Sequence, residues 1–387
     1  MTKWTNAEPP ESCIAIHPLD LAHRVSNLQS DSASGLRGWM CVRDCVSEVV
    51  HQQIRSEFKH LVSEYPFFDP DNQEDKGYFA DSNRSAPGKS GALIDMLDAL
   101  LSKAQYRRLQ PTDISQALKT ATAWGLKLNV RFKDFRRLRV YARGNDIEQR
   151  SRREWYLAFL QRNFSVPVYR QLVVLYEPRS ETDDSKTSLC LRMFKNVPHA
   201  DLDMLLPGTV RINWADSSRI GIPTLWGFAM MVSKLARNLW LLALFGAVKL
   251  LTSLTFVAAV IIATTFYAFK IFFSYRNARN RHLLNITRNL YYQTLSNNSG
   301  VLLRLLEEAE QQQTCQAFLV LYVMEQHHPE PLTMSKIDTE CESLVAKLAL
   351  GAINFDIRGS IELLLKTGLV EPKDDSWRLA GEILEAI

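Results

Sequence analysis

The chain has 387 residues, of which 46% are hydrophobic and 23% are charged, and its formal net charge is +4. This composition is typical of globular proteins and excludes a disordered or fibrous chain, and the length allows two or three domains of roughly 100–200 residues each. The small positive charge does not predict nucleic-acid binding. The six cysteines lack the clustered spacing of a zinc site.

The N-terminal part is predicted to be helical. Residues 1–34 are predicted to be loosely ordered apart from one short apolar segment. Apolar residues then recur at helical spacing over residues 38–64, and two further helices are predicted at 92–103 and 111–124. The polar segment 69–90 has no periodicity and is predicted to be a loop.

Hydrophobicity next alternates with a period of two, which predicts β-strands. Together with the helices before them, these strands predict a small antiparallel sheet with helices on one face, an α+β domain over residues 35–222. The predicted strands are residues 127–133, 137–143, 168–176, 188–194 and 209–214.

The first of these strands are strongly basic. Residues 127–153 contain ten Lys and Arg residues but only three Asp and Glu. One interpretation is a basic outer face of the sheet that contacts anionic lipid. The alternative is a solvated face that acidic loops balance. Nucleic acid is a less favoured partner, because no recognised nucleic-acid-binding module is present. The candidate lipid-contact residues are Arg131, Lys133, Arg137, Arg139 and Arg143.

Residues 250–269 contain no charged side chain. Twenty helical residues span about 30 Å, the thickness of the hydrocarbon core, so this segment predicts a transmembrane helix. A shorter apolar run precedes it, at residues 238–248. We predict a two-helix transmembrane hairpin over residues 223–274, with basic flanks and both termini on the cytoplasmic, inner face. A single span with the two flanks on opposite sides is the alternative. Candidate polar residues within the membrane are Lys234, Arg237 and Lys249.

Residues 275–330 are predicted to be helical with a break at 297–300. A polar face that consists of Glu307, Glu308, Glu310 and the three glutamines at 311–313 is predicted to be solvated. Residues 331–387 have the pattern of a winged-helix-like module, with helices at 335–350 and 356–366 followed by a short hairpin. From Thr333 onward this module has six basic and ten acidic residues. That balance disfavours DNA binding and favours a protein-contact or packing role.

Three motifs resemble those of one membrane-protein family. They are the segments Tyr-Pro-Phe-Phe-Asp-Pro at 65–70, Phe-Lys-Asn-Val-Pro at 194–198, and a block at 290–302 that contains Asn297-Asn298 and Gly300-Val301-Leu302. They resemble domain of unknown function 3754, also called the transmembrane protein 143 family. The resemblance implies two closely spaced membrane helices with soluble regions on both sides of them in sequence. It implies no reaction and no catalytic residue.

No catalytic, cofactor or metal site is predicted from the sequence. Gly88-Lys89-Ser90 lacks the glycine that a phosphate-binding loop needs five residues earlier. His199, Asp201 and Asp203 are predicted to begin a helix, where acidic side chains favour the helix dipole.

We therefore expect a membrane-anchored interaction or scaffold protein. Its expected partners are the lipid bilayer, anionic lipids, and either an unknown protein or a second copy of the chain. One alternative is an oligomeric channel or transport component, in which Lys234, Arg237 and Lys249 line a polar path. The other alternative is a membrane-bound enzyme whose site the sequence does not reveal.

Overall fold

The computed structural model of the protein divides into two compact units. Residues 1–110, 132–199 and 294–387 form the first unit, and residues 111–131 and 200–293 form the second. The structure describes residues 12–29, 33–74, 90–110, 112, 127–129, 135–153, 161–179, 188–199, 202–205, 209–211, 233, 262, 266, 269–270, 273, 276–277, 292–348, 353–354, 356–373 and 375–380.

The first unit begins with helices that pack through regularly spaced apolar side chains. Val42, Val46, Val50 and Ile54 recur every four residues, so they form one stripe of a helix, and all four are buried. A helix at residues 18–29 lies where the sequence predicts loose order, and a short helix at 70–74 lies in the predicted loop. The helices are α1 (Pro18–Gln29), α2 (Ala33–Glu57), α3 (Lys59–Glu64), α4 (Pro70–Glu74) and α5 (Ser90–Lys103).

The strands that the structure describes form three sheets. They are β1 (Arg107–Arg108), β2 (Lys127–Asn129), β3 (Phe135–Arg153), β4 (Gln161–Pro178), β5 (Cys190–Pro198), β6 (Thr209–Arg211), β7 (Thr294–Asn297), β8 (Leu332–Thr333), β9 (Val370–Lys373) and β10 (Ser376–Leu379).

The main sheet has five strands in the order β1-β3-β4-β5-β7, and each pair of neighbours is antiparallel. This confirms the predicted antiparallel sheet and the α+β class. The strands predicted at 137–143 and 168–176 lie within β3 and β4. Both strands extend further than predicted, to Arg153 paired with Gln161.

The long helix α7 (Ser299–Gln326) follows β7 directly and packs against α1, α2, β5 and β7. Trp39 of α2 makes edge-on ring contacts with Phe318 at 5.7 Å and with Tyr322 at 5.1 Å. Because elements cover α7 on several sides, the prediction of a solvated polar face is wrong for Glu308 and Gln312, which are buried.

The C-terminal elements also pack on α7. They are β8, α8 (Met334–Lys347), α9 (Arg358–Lys366), β9 and β10, and the three strands form a sheet in the order β8-β10-β9. Ile337, Val345, Ile361 and Leu364 from α8 and α9 belong to the same hydrophobic core as α7. Burial of apolar surface therefore holds this region against the long helix.

In the second unit the structure describes a short helix, α6 (Leu202–Leu205), and the antiparallel pair β2–β6. The predicted helix at 111–124 lies outside the described residues apart from Thr112. The predicted hairpin at 223–274 also lies outside them, apart from Ser233, Ile262, Phe266, Phe269, Lys270 and Phe273. Across the described ranges, no helix combines the length and the apolar character needed to cross a bilayer. The hairpin thus stays a prediction.

Candidate anion-binding site

Three polar residues form one row across the central strands of the main sheet. Arg143 of β3 is paired with Gln171 of β4, and Gln171 is paired with Lys195 of β5. Directly paired residues in an antiparallel ladder point to the same face of the sheet. Two residues further along β4 and β5, Val173 and Met193 lie in the hydrophobic core. The polar row therefore lies at the end of the sheet face that packs against the helices.

Glu308 of α7 lies over this row and accepts four hydrogen bonds. Its carboxylate accepts from Tyr106 Oη at 2.7 Å and from Gln171 Nε2 at 2.8 Å. It also accepts from Arg143 Nη1 at 3.0 Å and from Arg304 Nε at 3.1 Å. A buried carboxylate is tolerated only when such partners replace its hydration, and here two of them are cations.

Two pKa shifts follow from this arrangement. Burial, with the neighbouring carboxylate of Glu308, raises the pKa of Tyr106 well above its ordinary value, so the phenol stays a donor. Burial acts to lower the pKa of Arg143, but Cys13, Tyr106 and Glu308 outweigh it and raise that pKa. The guanidinium is therefore permanently charged, and its Nε donates to Cys13 Sγ at 2.9 Å.

The N-terminal segment closes one side of the site. Gln312 of α7 binds the backbone of Ile14 twice: its Oε1 accepts from the N–H at 3.0 Å, and its Nε2 donates to the carbonyl at 2.8 Å. The thiol of Cys315 donates a weak bond of 3.7 Å to the carbonyl of Ile16. The segment before α1 is thus held by side chains of α7.

Between this segment, the strands and α7 lies a cavity of about 360 Å³. Four of its lining residues are cationic, and none of the described lining residues is an Asp or a Glu. The cations are Arg143, Arg170, Lys195 and Arg304. The amides of Gln171, Asn196, Gln311 and Gln312 also line it. Such a surface favours anions through both charge and hydrogen-bond donors.

Backbone geometry places Arg170 beside the cavity. Gly144 has a φ of +70°, and a Cβ built on it would lie 2.9 Å from Cβ of Arg170. Glycine therefore meets both a conformational and a steric requirement there. Arg170 Nη2 donates to Asp146 Oδ2 at 3.3 Å in a largely exposed ion pair.

Residues 169–300 match the family model described as Protein of unknown function (DUF3754). No curated protein and no solved structure matches the chain. The match supports the resemblance to this family over residues 169–300, whereas the transmembrane protein 143 part of the resemblance stays a prediction. The DUF3754 region contributes Arg170, Gln171 and Lys195 to the cavity, while Arg143 comes from β3, before this region.

The structure describes three of the five predicted lipid-contact residues, and all three belong to β3. Arg131 and Lys133 lie outside the described residues. Arg137 lies 3.9 Å from the Glu177 carboxylate. Arg139 donates to Asp98 of α5, which also accepts from Tyr141. Arg143 points into the cavity. Contact with anionic lipid stays a prediction. Three of the five residues predicted to make this contact have acidic partners within the protein.

The predicted polar residues of the membrane hairpin, Lys234, Arg237 and Lys249, lie outside the described residues. None of Lys195, Arg304 and Glu308 was predicted to be a site residue, although Lys195 lies in the motif at 194–198 and Glu308 in the predicted solvated face. A signal for Lys195 was present, since period-two alternation places it on the same face as buried Met193. The i, i+4 spacing of Arg304 and Glu308 predicts their ion pair, but it does not predict burial of the carboxylate.

Proposed function

We propose that this chain is a membrane-anchored interaction protein whose two flanks lie on one side of the bilayer and fold together. The observation that carries the proposal is the pairing of β7 with β5. β5 precedes the apolar segment 250–269 in the sequence and β7 follows it, yet both strands belong to the first unit. Strands share hydrogen bonds only when they lie on the same side of a membrane.

The contact between the flanks is extensive. The backbone N–H of Asn298 donates to the carbonyl of Leu191 at 2.7 Å, and the N–H of Leu191 donates to Asn298 Oδ1 at 3.1 Å. α7 then packs on α2, and α8 and α9 pack on α7. A single span would separate these partners. Residues 223–274 are long enough for two spans of about 20 residues each, so the pairing favours a hairpin.

Exposed apolar side chains support an anchor in this segment. Ile262, Phe266, Phe269 and Phe273 follow one another at intervals of four, three and four residues, and so share one face of a helix. Each of them is between 53% and 75% exposed. A stripe of large exposed apolar side chains is expected to be covered by lipid or protein. Lys270 and Arg276 are exposed at the basic flank, as the positive-inside rule requires.

The interaction role is supported by the C-terminal elements. Their order after α7 is β8, α8, α9, β9 and β10, which is the order of a winged helix. The excess of acidic over basic residues in this part of the chain favours a protein partner over nucleic acid. The channel alternative depends on Lys234, Arg237 and Lys249, outside the described residues, so no observation favours it over an interaction role.

A topology experiment tests the proposal. The full chain carries a different epitope tag at each terminus and a specific protease site inserted after Gly246, between the two predicted spans. In sealed membranes we expect both tags to be accessible from one face and the inserted site to be cut only from the opposite face. The protein should also stay in the pellet after alkaline carbonate washing.

Two results would overturn the proposal. Tags accessible from opposite faces would indicate a single span, and release of the chain by carbonate would indicate that it is not anchored. A tagged chain without the inserted site is the control for cleavage elsewhere. A second control solubilises the membranes in detergent, where the inserted site must be cut regardless of the face to which protease is added.

A further inference from the structure

We infer that the cavity between residues 13–17, the polar row of the sheet and α7 binds a phosphomonoester, carried by a small molecule or by a lipid headgroup. This inference is independent of the membrane anchor. It rests on a charge imbalance, on unused donors and on a framework that holds the cations in place.

The charge of the cavity matches a dianion. Four cationic residues line it, and two carboxylates, those of Glu308 and Asp146, contact three of them. Lys195 makes no ion pair with any residue that the structure describes. The four cations and two carboxylates therefore leave a net charge of about +2 among these described residues, and a phosphomonoester near neutral pH carries close to two negative charges.

Hydrogen-bond donors remain available beside these charges. Arg304 uses its Nε for Glu308, and Arg143 uses its Nε for Cys13 and its Nη1 for Glu308. An arginine has five N–H donors, so within the described part of the chain both retain donors that can reach a ligand. Lys195 adds three donors, and the side chain of Asn196 lies beside it.

Glu308 acts as a positioning residue. Its carboxylate holds Arg143 from the sheet and Arg304 from α7 together, although the two cations repel each other. Tyr106 and Gln171 fix the carboxylate in turn, since both donate to it. Cations held in this way lose little side-chain entropy when an anion binds, which favours binding.

The size of the cavity indicates a ligand that is larger than a bare phosphate ion. A volume of about 360 Å³ falls in the range of small-molecule pockets, roughly 300–1,000 Å³. Ile14, Ile16 and Leu295 contribute apolar surface to the same cavity. A phosphate group would bind the cations, and the group that carries it would contact these apolar side chains.

The test is calorimetric titration of the full chain, purified in a mild detergent. The probes are inorganic phosphate, glycerol phosphate and dihexanoyl phosphatidic acid, a short-chain lipid with the same phosphomonoester. Glycerol and dihexanoyl phosphatidylcholine, which lack a phosphomonoester, are the negative probes. We expect binding of at least one phosphomonoester probe and none of the negative probes.

The probes also separate the two sources of the ligand. Tighter binding of phosphatidic acid than of glycerol phosphate supports a lipid headgroup, and equal or weaker binding supports a soluble phosphate compound. Inorganic phosphate alone producing heat, with neither ester binding, would overturn the inference, because the cavity would then hold an adventitious ion only. Heat from none of the phosphate probes would overturn it as well.

A matched pair of lysine variants connects binding to the cavity. Lys195→Gln removes an exposed cation that lines the cavity, and Lys373→Gln removes an exposed cation on β9. We expect Lys195→Gln to weaken binding about tenfold, as loss of one charge-assisted hydrogen bond implies. Lys373→Gln should leave binding unchanged. Equal affinities of the two variants would refute the assignment. Arg170→Gln provides a second, independent cavity variant, and thermal unfolding of each confirms its fold.

Discussion

Asn298 Nδ2 donates a hydrogen bond of 2.7 Å to Asp71 Oδ2. This bond joins a residue that precedes the apolar segment in the sequence to one that follows it. The same amide accepts from the backbone N–H of Leu191 through its Oδ1. One side chain thus connects α4, β5 and the start of α7. Asn298 itself has a φ of +46°, a conformation that asparagine and glycine tolerate better than other residues.

Asn298→Gly tests this connection. Glycine permits the positive φ, so a decrease in the stability of this variant reports the loss of the side-chain hydrogen bonds. We expect a decrease of about 1–3 kcal/mol in the free energy of unfolding, because the buried N–H of Leu191 loses its acceptor. Chemical denaturation of the full chain in detergent measures it. Asn354→Gly, at an exposed position, is the control, and an equal effect of both variants would contradict the role of Asn298.

Glu308→Ala tests the buried carboxylate. Its removal leaves Arg143 buried without its acidic partner, and Tyr106 and Gln171 lose their acceptor. We expect the free energy of unfolding to fall by about 3–5 kcal/mol, towards the lower end because Arg304 is exposed enough to reach water. Glu307→Ala, at the adjacent exposed position, should cost much less. Similar denaturation midpoints for the two variants would show that Glu308 is not an essential partner.

Gly144→Ala tests the geometry beside Arg170. Alanine disfavours the positive φ, and its Cβ would come too close to Arg170 Cβ. We expect a loss of about 1–2 kcal/mol or more in the free energy of unfolding. Gly91→Ala is the matched control, since a Cβ there meets only Arg137 at an ordinary 3.8 Å. A Gly144→Ala variant as stable as wild type would mean that β3 adjusts freely here.

His199 predicts a pH dependence of stability. Burial, together with the charge of Arg107, lowers the pKa of His199 from 6.5 to about 4. The ring stacks on Tyr169 with the ring centroids 3.9 Å apart. Because the unfolded chain takes up this proton at higher pH than the folded one, the contribution of His199 to stability is complete above pH 6.5 and declines as pH falls towards 4.

His199→Phe keeps a ring that can stack but removes the titration. Between pH 6.5 and 4 the stability of this variant should fall less steeply than that of wild type in thermal unfolding. His23→Phe, at an exposed position of α1, should retain the wild-type slope. Parallel curves for wild type and His199→Phe would show that the histidine does not titrate differently in the two states.

The sequence predicts those parts of the fold that local patterns encode. The stripe from Val42 to Ile54 and the alternation in β3, β4 and β5 are strong periodic signals, and the structure has a helix and strands there. α1 was missed because few of its twelve residues are buried apolar side chains, among them Leu21, Ala22 and Val25. Its helical state depends on packing against α2 and α7, which no local pattern records.

The site depends on contacts between parts of the chain that are distant in sequence. These contacts explain why the sequence did not predict strand β7 or the burial of Glu308. β7 is four residues of mixed polarity, and only its pairing with β5 defines it as a strand. Glu308 is part of a polar run on α7, where a solvated face is the simplest interpretation. Its burial depends on Arg143 and Tyr106, which precede it by more than 160 residues.

The late arrival of β7 has a consequence for biosynthesis. During translation, β5 leaves the ribosome long before Thr294–Asn297, with the whole apolar segment still to be made. Throughout that interval the outer hydrogen-bonding groups of β5 lack their neighbour, and an unpaired strand edge recruits other chains. Nascent chains arrested at residue 293 are therefore expected to aggregate or to be retained by chaperones, and chains extended through α7 should be released.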